Sequence, residues 1–434
     1  RAQLRFPSNS NISFINIYIN INIYLNNNLY NIYIMNTIIG DNAVIYLPQN
    51  KIDNETQLLV KDMTKSQVFN NIRIMPDCHS SSYCCVGLTS MIEDKVIPQI
   101  VGGDIGCGIS CLNLNKVLKE KHYEKIDKAV KLLVPMGDKN HKIPITNDEI
   151  MNELYSKCNV KLDILKEKFP EYPFDEFQYN DKYYKKMIKR AKSNVSSSNY
   201  LKAMGTLGGG NHYVEFNKEE NGNCYLTVHC GSRHMGQAIC NYHQDKIKDN
   251  KNYDKKNFLQ NYLEREELIE YLIDMVFAQE FASKNRSIII ERICDEIGCE
   301  FNQNKIIESI HNYIDFDKFI LRKGAISADA GKLCIISLNM RDGILICKGK
   351  GNPDWNYSSA HGCGRLMSRK DARLTFNMKQ YKDDMKDVYS SCICKETLDE
   401  IPEAYKDVEF IKELIGDSVE IVKQLIPIIN IKGY

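Results

Sequence analysis

The chain has 434 residues, 43% hydrophobic and 26% charged, and its 57 basic residues offset 56 acidic ones to a net charge of +1. This is a globular composition with ample material for a core. The near-neutral charge excludes a generic basic nucleic-acid coat, so a nucleic-acid partner would need a local basic face.

Residues 1–34 are almost wholly Asn, Ile and Tyr. Their period-two alternation could form a strand, but it is uncharged and of an aggregation-prone kind. Arg1 is not a start residue, and Met35 opens the first segment of ordinary composition. The low-complexity segment is expected to be disordered, or to be translated upstream sequence ahead of a start at Met35.

From Thr37 to Leu114 the chain reads as β-rich, with a short apolar run at Ala43 to Leu47. Val86 to Met91 and Lys95 to Ile100 flank a Glu93-Asp94 turn and predict a hairpin. Residues 116–200 form a lysine-rich helical insertion, with helical patterns over Tyr123 to Leu133 and Asp148 to Leu165. Within it, Tyr183 to Arg190 interleaves aromatic and basic residues. That pattern could contact phosphates and bases, although a solvated helix face is the commoner outcome of lysine runs.

Strand signals return at Gly205 to Phe216 and Tyr225 to Gly231. A long amphipathic helix is predicted from Glu264 to Lys284, which holds no Pro or Gly. Lys318 to Cys347 is β-rich, Glu409 to Ile426 reads as helix, and a short strand precedes Lys432. There is no repeat and no linker after residue 35. The simplest architecture is α/β (mixed α+β): a single interwoven domain over 35–434, with a central β-rich core and peripheral helices. No run of 18 uncharged apolar residues occurs, so no transmembrane helix is expected. Sixteen cysteines without framework spacing fit free thiols in a reducing compartment.

The chemistry concentrates in glycine-flanked segments. Between Ile97 and Leu112, a turn with Gly102, Gly103, Gly106 and Gly108 carries Asp104 and Cys107. A carboxylate and a thiol three residues apart on such a turn can reach one metal ion; a tight turn with a buried Cys is the plain alternative. Four histidine segments look built to meet it: Leu207 to His212 with three glycines, Thr227 to Arg233 around His229, Ser309 to Tyr313 around His311, and Ser358 to Arg365 around His361. Each histidine alone is more often structural than a ligand. Together, carboxylate, thiolate and imidazole make a transition-metal set. Asp104, Cys107, His212, His229 and His311 are too many for one tetrahedral ion and would suit two ions sharing the thiolate. Ligand softness favours zinc, but residue types do not decide the metal. Arg233, with turn amides, makes a plausible anion site. His361 could be a further ligand, or a nucleophile toward phosphorus with Arg365 holding the phosphate.

These segments resemble the RtcB family of RNA ligases. The matching stretches are M-P-D-C-H at 75–79, V-G-G-D-I-G-C-G at 101–108, G-G-G-N-H-Y-V-E at 208–215, H-C-G-S-R at 229–233 and H-N-Y at 311–313. They continue with R-K-G-A-I-S-A at 322–328, S-A-H-G-C-G-R-L-M-S-R at 359–369, D-E-I-P-E-A-Y-K-D at 399–407 and K-G at 432–433.

The resemblance implies a ligase that uses GTP and Mn²⁺ to join an RNA 3′-phosphate or 2′,3′-cyclic phosphate end to a 5′-hydroxyl end. By motif, Asp104 and His212 would bind one Mn²⁺, His229 and His311 the other, and Cys107 would bridge them. His361 would take GMP through a phosphoramidate bond. GTP contacts are implied for Asn211, His212, Tyr213, Val214 and Glu215, for His311 and Asn312, for Ser337, Leu338, Asn339 and Met340, for His361, Gly362, Cys363 and Gly364, and for Lys432. Arg233, Arg365 and Arg369 are candidate RNA or phosphate contacts. The implied partners are tRNA halves or broken RNA ends and an activating protein. The expected state is a monomer, cytoplasmic, or nuclear in a eukaryotic host.

Two stretches depart from the family pattern. M-P-D-C-H is followed by Ser80-Ser81-Ser82-Tyr83 instead of a glycine-containing run. The nucleotide loop written P-G-S-M-G in many members reads Ser337-Leu338-Asn339-Met340-Arg341-Asp342, which puts backbone contacts there in doubt. Two rival readings keep the same residues: a metal-dependent cyclic phosphodiesterase, in which His361 is only a ligand, and a non-catalytic RNA-binding module with a vestigial site.

Overall fold

The computed structural model describes residues 36–191, 197–249 and 253–434, together with the backbone of two short paired strands, Asn22–Leu25 and Asn28–Asn31. The rest of the Asn/Ile/Tyr-rich segment, and with it the expectation for residues 1–34, lies outside the described residues. The fold is mixed α/β, as expected, and is organised around two antiparallel-dominated sheets.

The larger sheet has seven strands in the order Ile307–Ile310, Gly108–Asn113, Cys224–Cys230, Tyr213–Lys218, Val419–Lys432, Ile344–Gly349 and Leu333–Ser337. Every pairing is antiparallel. The sheet nearly closes on itself, because the Ile335 amide of one edge strand donates to Ser309 Oγ of the other at 2.8 Å. Strand periodicity splits its faces. Ile109, Cys111, Tyr225, Ile335, Ile344, Ile346 and Leu425 form one apolar cluster. Val214, Phe216, Leu226 and Val228 point the other way, against Ile289, Ile290 and Ile293 of a long helix, Arg265–Ile297. The second sheet has six strands: Asn312–Asp315, Ile320–Lys323, Cys85–Met91, Asn70–Ser80, Ala43–Ile45 and Thr37–Ile39.

The long helix runs past the predicted end at Lys284 and stops at Gly298, which takes the left-handed conformation at φ 65°. Lys284, Asn285 and Arg286 interrupt its apolar pattern, yet all three are buried and paired inside the fold. A polar triplet therefore looks like a helix end in sequence and serves as the helix's working centre in the structure.

Three other expectations change. Cys85–Met91 does not pair with the Lys95 segment. It pairs with Asn70–Ser80 and Ile320–Lys323, while Lys95–Val96 pairs with Leu263–Glu264 and Pro98–Val101 is a helical turn. Local turn chemistry lost to more extensive non-local pairing. Residues 205–212 are loop, and only Tyr213–Lys218 is strand there. The C-terminal helix is short, Val408–Leu414, and Val419–Lys432 is a 14-residue strand. Gly416, Asp417 and Ser418 end the helix, and the β-branched residues after them fit the sheet between Tyr213–Lys218 and Ile344–Gly349.

In the lysine-rich region, helices span Tyr123–Leu133, Asp148–Lys168 and Asp181–Arg190. Tyr183, Tyr184, Met187 and Ile188 are buried, while Lys182, Lys185, Lys186 and Lys189 are exposed. Tyr183 donates to Asp274 Oδ1 of the long helix at 2.8 Å. Its aromatic rings thus belong to the core and offer no stacking platform. All sixteen cysteines are free thiols. Among the described residues, no helix is long and apolar enough to cross a membrane.

Gly106 marks the closest approach of the Asp104–Cys107 turn to the long helix. Its φ is 73°, and a Cβ there would lie 2.8 Å from Ala282 Cβ and 2.9 Å from Gln279 Cα. Gly106→Ala is expected to destabilise the fold by about 1–3 kcal/mol through backbone strain and overpacking. Chemical denaturation of the two proteins checks this.

Candidate active site

Four neighbouring strands of the seven-stranded sheet bring their ends to one edge. In the sheet register Ile310 opposes Gly108, Ile109 opposes His229, and His229 opposes Tyr213. Cys107, His229, His212 and His311 therefore emerge side by side, although they come from four separate parts of the chain. Two backbone bonds zip the segments together: Gly106 N–H donates to Asn312 O at 2.8 Å, and His311 N–H donates to Cys107 O at 2.8 Å.

The side chains form a continuous donor cluster. His212 Nε2 lies 3.1 Å from Asp104 Oδ2 and 3.3 Å from Cys107 Sγ. Cys107 Sγ lies 3.3 Å from His229 Nε2, which lies 3.2 Å from His311 Nε2. Cys107, His212 and His229 are buried and close enough together to hold a metal ion. His229 Nδ1 donates to Asn211 O at 3.1 Å, which leaves Nε2 with its lone pair free for a cation.

Electrostatics supports the same reading. Burial pushes the Cys107 thiol up to about 12, and Asp104 adds to the effect. A thiolate there requires a cation beside it. Burial, reinforced by neighbouring histidines, holds His229 and His311 well below the usual imidazole range, in the neutral form that ligates metals. Burial also opposes charge on His212, but Cys107 and Asp104 outweigh it and raise that group. The donor set thus fits one or more divalent transition ions.

The cluster opens into a cavity of about 320 Å³. His361 stands on its wall, its ring centred 4.9 Å from that of His311. His361 Nδ1 lies 2.7 Å from Asp77 Oδ2, and the same oxygen accepts the amides of His361 and Gly362 at 3.1 Å each. Asp77 is fully buried. It fixes the turn through the two amides and sets its carboxylate against the Nδ1 side of the ring.

Most of the expected nucleotide contacts meet on the same cavity. Asn211, Tyr213, Glu215, Asn312, Ser337 to Met340, His361 to Gly364 and Lys432 all line it, as do Arg365 and Arg369. Three expected residues do not. His212 stands in the donor cluster against Asp104 and Cys107, outside the cavity lining. Val214 points to the outer face of its strand, into the core beside the long helix. Arg233 donates to Thr206 Oγ1 at 3.1 Å and to the Gly137 carbonyl, and so braces the loop before His212.

Sequence reasoning assigned no role to Asp77, His79, Lys323, Glu400, Tyr405 or Asn430, although all but Asp77 line the cavity. Asp77 and His79 stand in M-P-D-C-H, Lys323 in R-K-G-A, and Glu400 and Tyr405 in D-E-I-P-E-A-Y-K-D, so a signal existed for those five. Asn430 had none. Glu400 gathers the cations of the wall: Lys432 Nζ at 2.8 Å, Arg369 at 2.6 Å and Arg365 at 3.4 Å. Burial opposes its charge, but Lys432 and Arg369 hold its carboxyl down to about 2.

A family model described as tRNA-splicing ligase RtcB matches residues 59–433. The chain belongs to the RtcB family. It is 27% identical over 408 residues to the RNA-splicing ligase RtcB of Escherichia coli (strain K12), covering 87% of this chain and 93% of that protein. It is 24% identical to the tRNA-splicing ligase RtcB of Nanoarchaeum equitans, covering 85% of this chain and 89% of the relative. RNA-splicing ligase RtcB homolog 1 of Entamoeba histolytica is also 24% identical, with 83% and 80% covered. The family match over residues 59–433 spans the residues of the donor cluster and the cavity wall.

Cys107 joins the two halves of the cluster. Cys107→Ala is expected to weaken binding of Co²⁺, used as a spectroscopic probe, by more than about 100-fold, beyond the 10- to 100-fold typical of residues that only support ligands. Titration of the visible absorption bands in wild type and variant checks this.

Proposed function

We propose that this RtcB-family chain is a GTP- and Mn²⁺-dependent RNA ligase that joins 3′-phosphate or 2′,3′-cyclic phosphate ends to 5′-hydroxyl ends, in tRNA splicing or RNA repair. One observation carries the reading. A histidine set against a buried aspartate stands on the wall of a cavity whose floor is a buried Cys/His donor cluster with Asp104 beside it. The names of the relatives, RNA-splicing and tRNA-splicing ligases, support the substrate class.

Asp104, Cys107, His212, His229 and His311 would hold two Mn²⁺ ions, which when bound neutralise phosphate charge and polarise phosphoryl oxygens. The chain's own groups do the rest. With Nδ1 set against Asp77, Nε2 would be the attacking nitrogen. Nε2 attacks the α-phosphorus of GTP; an N–P bond forms, the α–β bridging P–O bond breaks, and pyrophosphate leaves. Where the end is a 2′,3′-cyclic phosphate, water first attacks its phosphorus and the P–O2′ bond breaks to leave the 2′-hydroxyl and a 3′-phosphate; the RNA 3′-phosphate oxygen then displaces His361 and takes the GMP. The 5′-hydroxyl oxygen attacks the 3′-phosphorus, losing its proton, and GMP departs. Lys432, Arg365 and Arg369 face this path as fixed cations, kept in place by Glu400.

Glu215 supplies base selection. Its oxygens accept from Asn217 Nδ2 at 2.6 Å and Asn430 Nδ2 at 2.5 Å, and it lines the cavity. A carboxylate offers acceptors only, which suits the paired N–H donors of a guanine edge and not the donor–acceptor edge of adenine. Burial raises its pKa to about 7. The ionised form is the one that accepts, so GTP affinity is expected to rise with pH through about 7. In Glu215→Gln that rise is absent. Calorimetric titration between pH 6 and 8 reads the slope.

The main test is covalent labelling. With α-labelled GTP and Mn²⁺, wild type is expected to carry acid-labile, alkali-stable label, and His361→Ala none. Asp77→Asn is expected to slow labelling by about 10²–10⁴-fold, the scale of a positioned acid–base partner. RNA-end opening that proceeds without GTP, on a protein that never labels, would replace the ligase with a cyclic phosphodiesterase.

A further inference from the structure

The stretch Ser337 to Asp342 holds no glycine, and its first four residues form part of the cavity wall. None of its residues takes a positive φ; the left-handed position of the turn falls on Gly343, at φ 77°. Side-chain bonds set the shape instead. Asn339 Oδ1 accepts the amides of Arg341 and Asp342 at 2.9 Å each, and Asn339 Nδ2 donates to Asp342 Oδ2 at 2.7 Å. Met340 is buried, and its sulfur accepts from Tyr381 O–H at 3.2 Å.

Arg341 does not line the cavity. It grips Asp342 with two prongs, Nε to Oδ1 at 3.2 Å and Nη2 to Oδ2 at 3.1 Å. Its remaining arm, Nη1, donates to Glu403 Oε1 at 2.9 Å, with Asp384 Oδ1 at 4.0 Å. Asp384 ends the helix Met378–Asp384, and Glu403 sits in the helical turn Pro402–Ala404. At its other end the loop is bonded to the nucleophile's backbone, because Ser337 N–H donates to His361 O at 3.0 Å.

We propose that Arg341 is a positioning residue for nucleotide binding: it latches the Ser337–Asp342 loop to the Asp384 and Glu403 carboxylates, and so holds the cavity wall beside His361 in its binding shape. The inference rests on the GTP reading given above. A planar guanidinium with three occupied nitrogens can fix a loop in a way that one flexible ammonium cannot. The side chain is 41% exposed, so its ion pairs add little to global stability. Their effect falls on the order of the loop before the nucleotide arrives. A loop that is already ordered binds without the entropic cost of ordering.

The test measures His361 labelling against GTP concentration in the full chain. In Arg341→Ala the half-saturating GTP concentration is expected to rise about tenfold, the scale of ordering one or two long side chains on binding. The labelling rate at saturation, Co²⁺ affinity and unfolding midpoint are expected to stay at wild-type values. Arg341→Lys should fall between, keeping the Glu403 pair but losing the two-pronged grip. Asp384→Asn with Glu403→Gln should match Arg341→Ala and add nothing to it in combination. Unchanged half-saturation in Arg341→Ala overturns the latch, and so does a loss confined to the saturated rate or accompanied by a lower unfolding midpoint. A wild-type protein that takes no label overturns the GTP reading and the latch with it. A labelled wild type with an indifferent Arg341→Ala overturns the latch alone.

Discussion

The candidate site hangs on two adjacent buried side chains of the long helix, Asn285 and Arg286. The Arg286 guanidinium is fully buried and donates to Gly106 O at 2.7 Å, Cys230 O at 2.6 Å and Ser110 Oγ at 3.1 Å, with Glu308 as its carboxylate at 2.9 Å. Asn285 accepts the amides of Gly205 and Thr206 at 2.7 and 3.2 Å, and donates to Gly231 O at 3.3 Å. Between them they hold the Asp104–Cys107 turn, the end of the His229 strand, the strand before His311 and the loop before His212. A buried guanidinium is tolerated only when its donors are met. The segments that meet them are the ones that carry the metal-type ligands, so the burial cost of one arginine enforces their mutual placement.

A second anchor works the same way on the opposite wall. Asp77 is fully buried; its Oδ2 accepts two backbone amides and lies 2.7 Å from His361 Nδ1. Gly364 lets the turn come this close, since a Cβ there would lie 1.9 Å from Asp77 O. The donor cluster is thus held from the long helix and His361 from the smaller sheet. The cavity is the space between two independently fixed walls. That arrangement suits chemistry in which charged phosphates must be gripped without the walls shifting.

Much of the site was legible because its residue types are rare in combination. A carboxylate and a thiol on a glycine-rich turn, with four glycine-flanked or strand-end histidines, announce metal and phosphate chemistry even though each histidine alone is ambiguous. Helices with strong periodicity, such as Tyr123–Leu133, were legible for the usual reason, an apolar stripe at 3.6-residue spacing. Asn285 and Arg286 were not, since polar residues inside a helix read as exposure until the partners are known. Val214 shows the converse error. Its motif neighbours Tyr213 and Glu215 face the cavity, but a strand alternates, and Val214 must face away.

By itself, the sequence determined the chemical groups available: a carboxylate, a thiol, glycine-flanked histidines and basic residues in family motifs, and that a mixed α/β domain would carry them. Those properties belong to residue types and short spacings, and they survive without knowledge of contacts. Tertiary structure alone decided which strands pair, that residues after Gly416 extend a sheet instead of a helix, that Arg233 braces a loop away from the cavity, and that Asp77 stands behind His361. Each of the last three depends on a partner more than two dozen residues away, and for Asp77 hundreds. Local propensity carries no record of such a partner, whereas burial and hydrogen-bond satisfaction select it once the chain is compact.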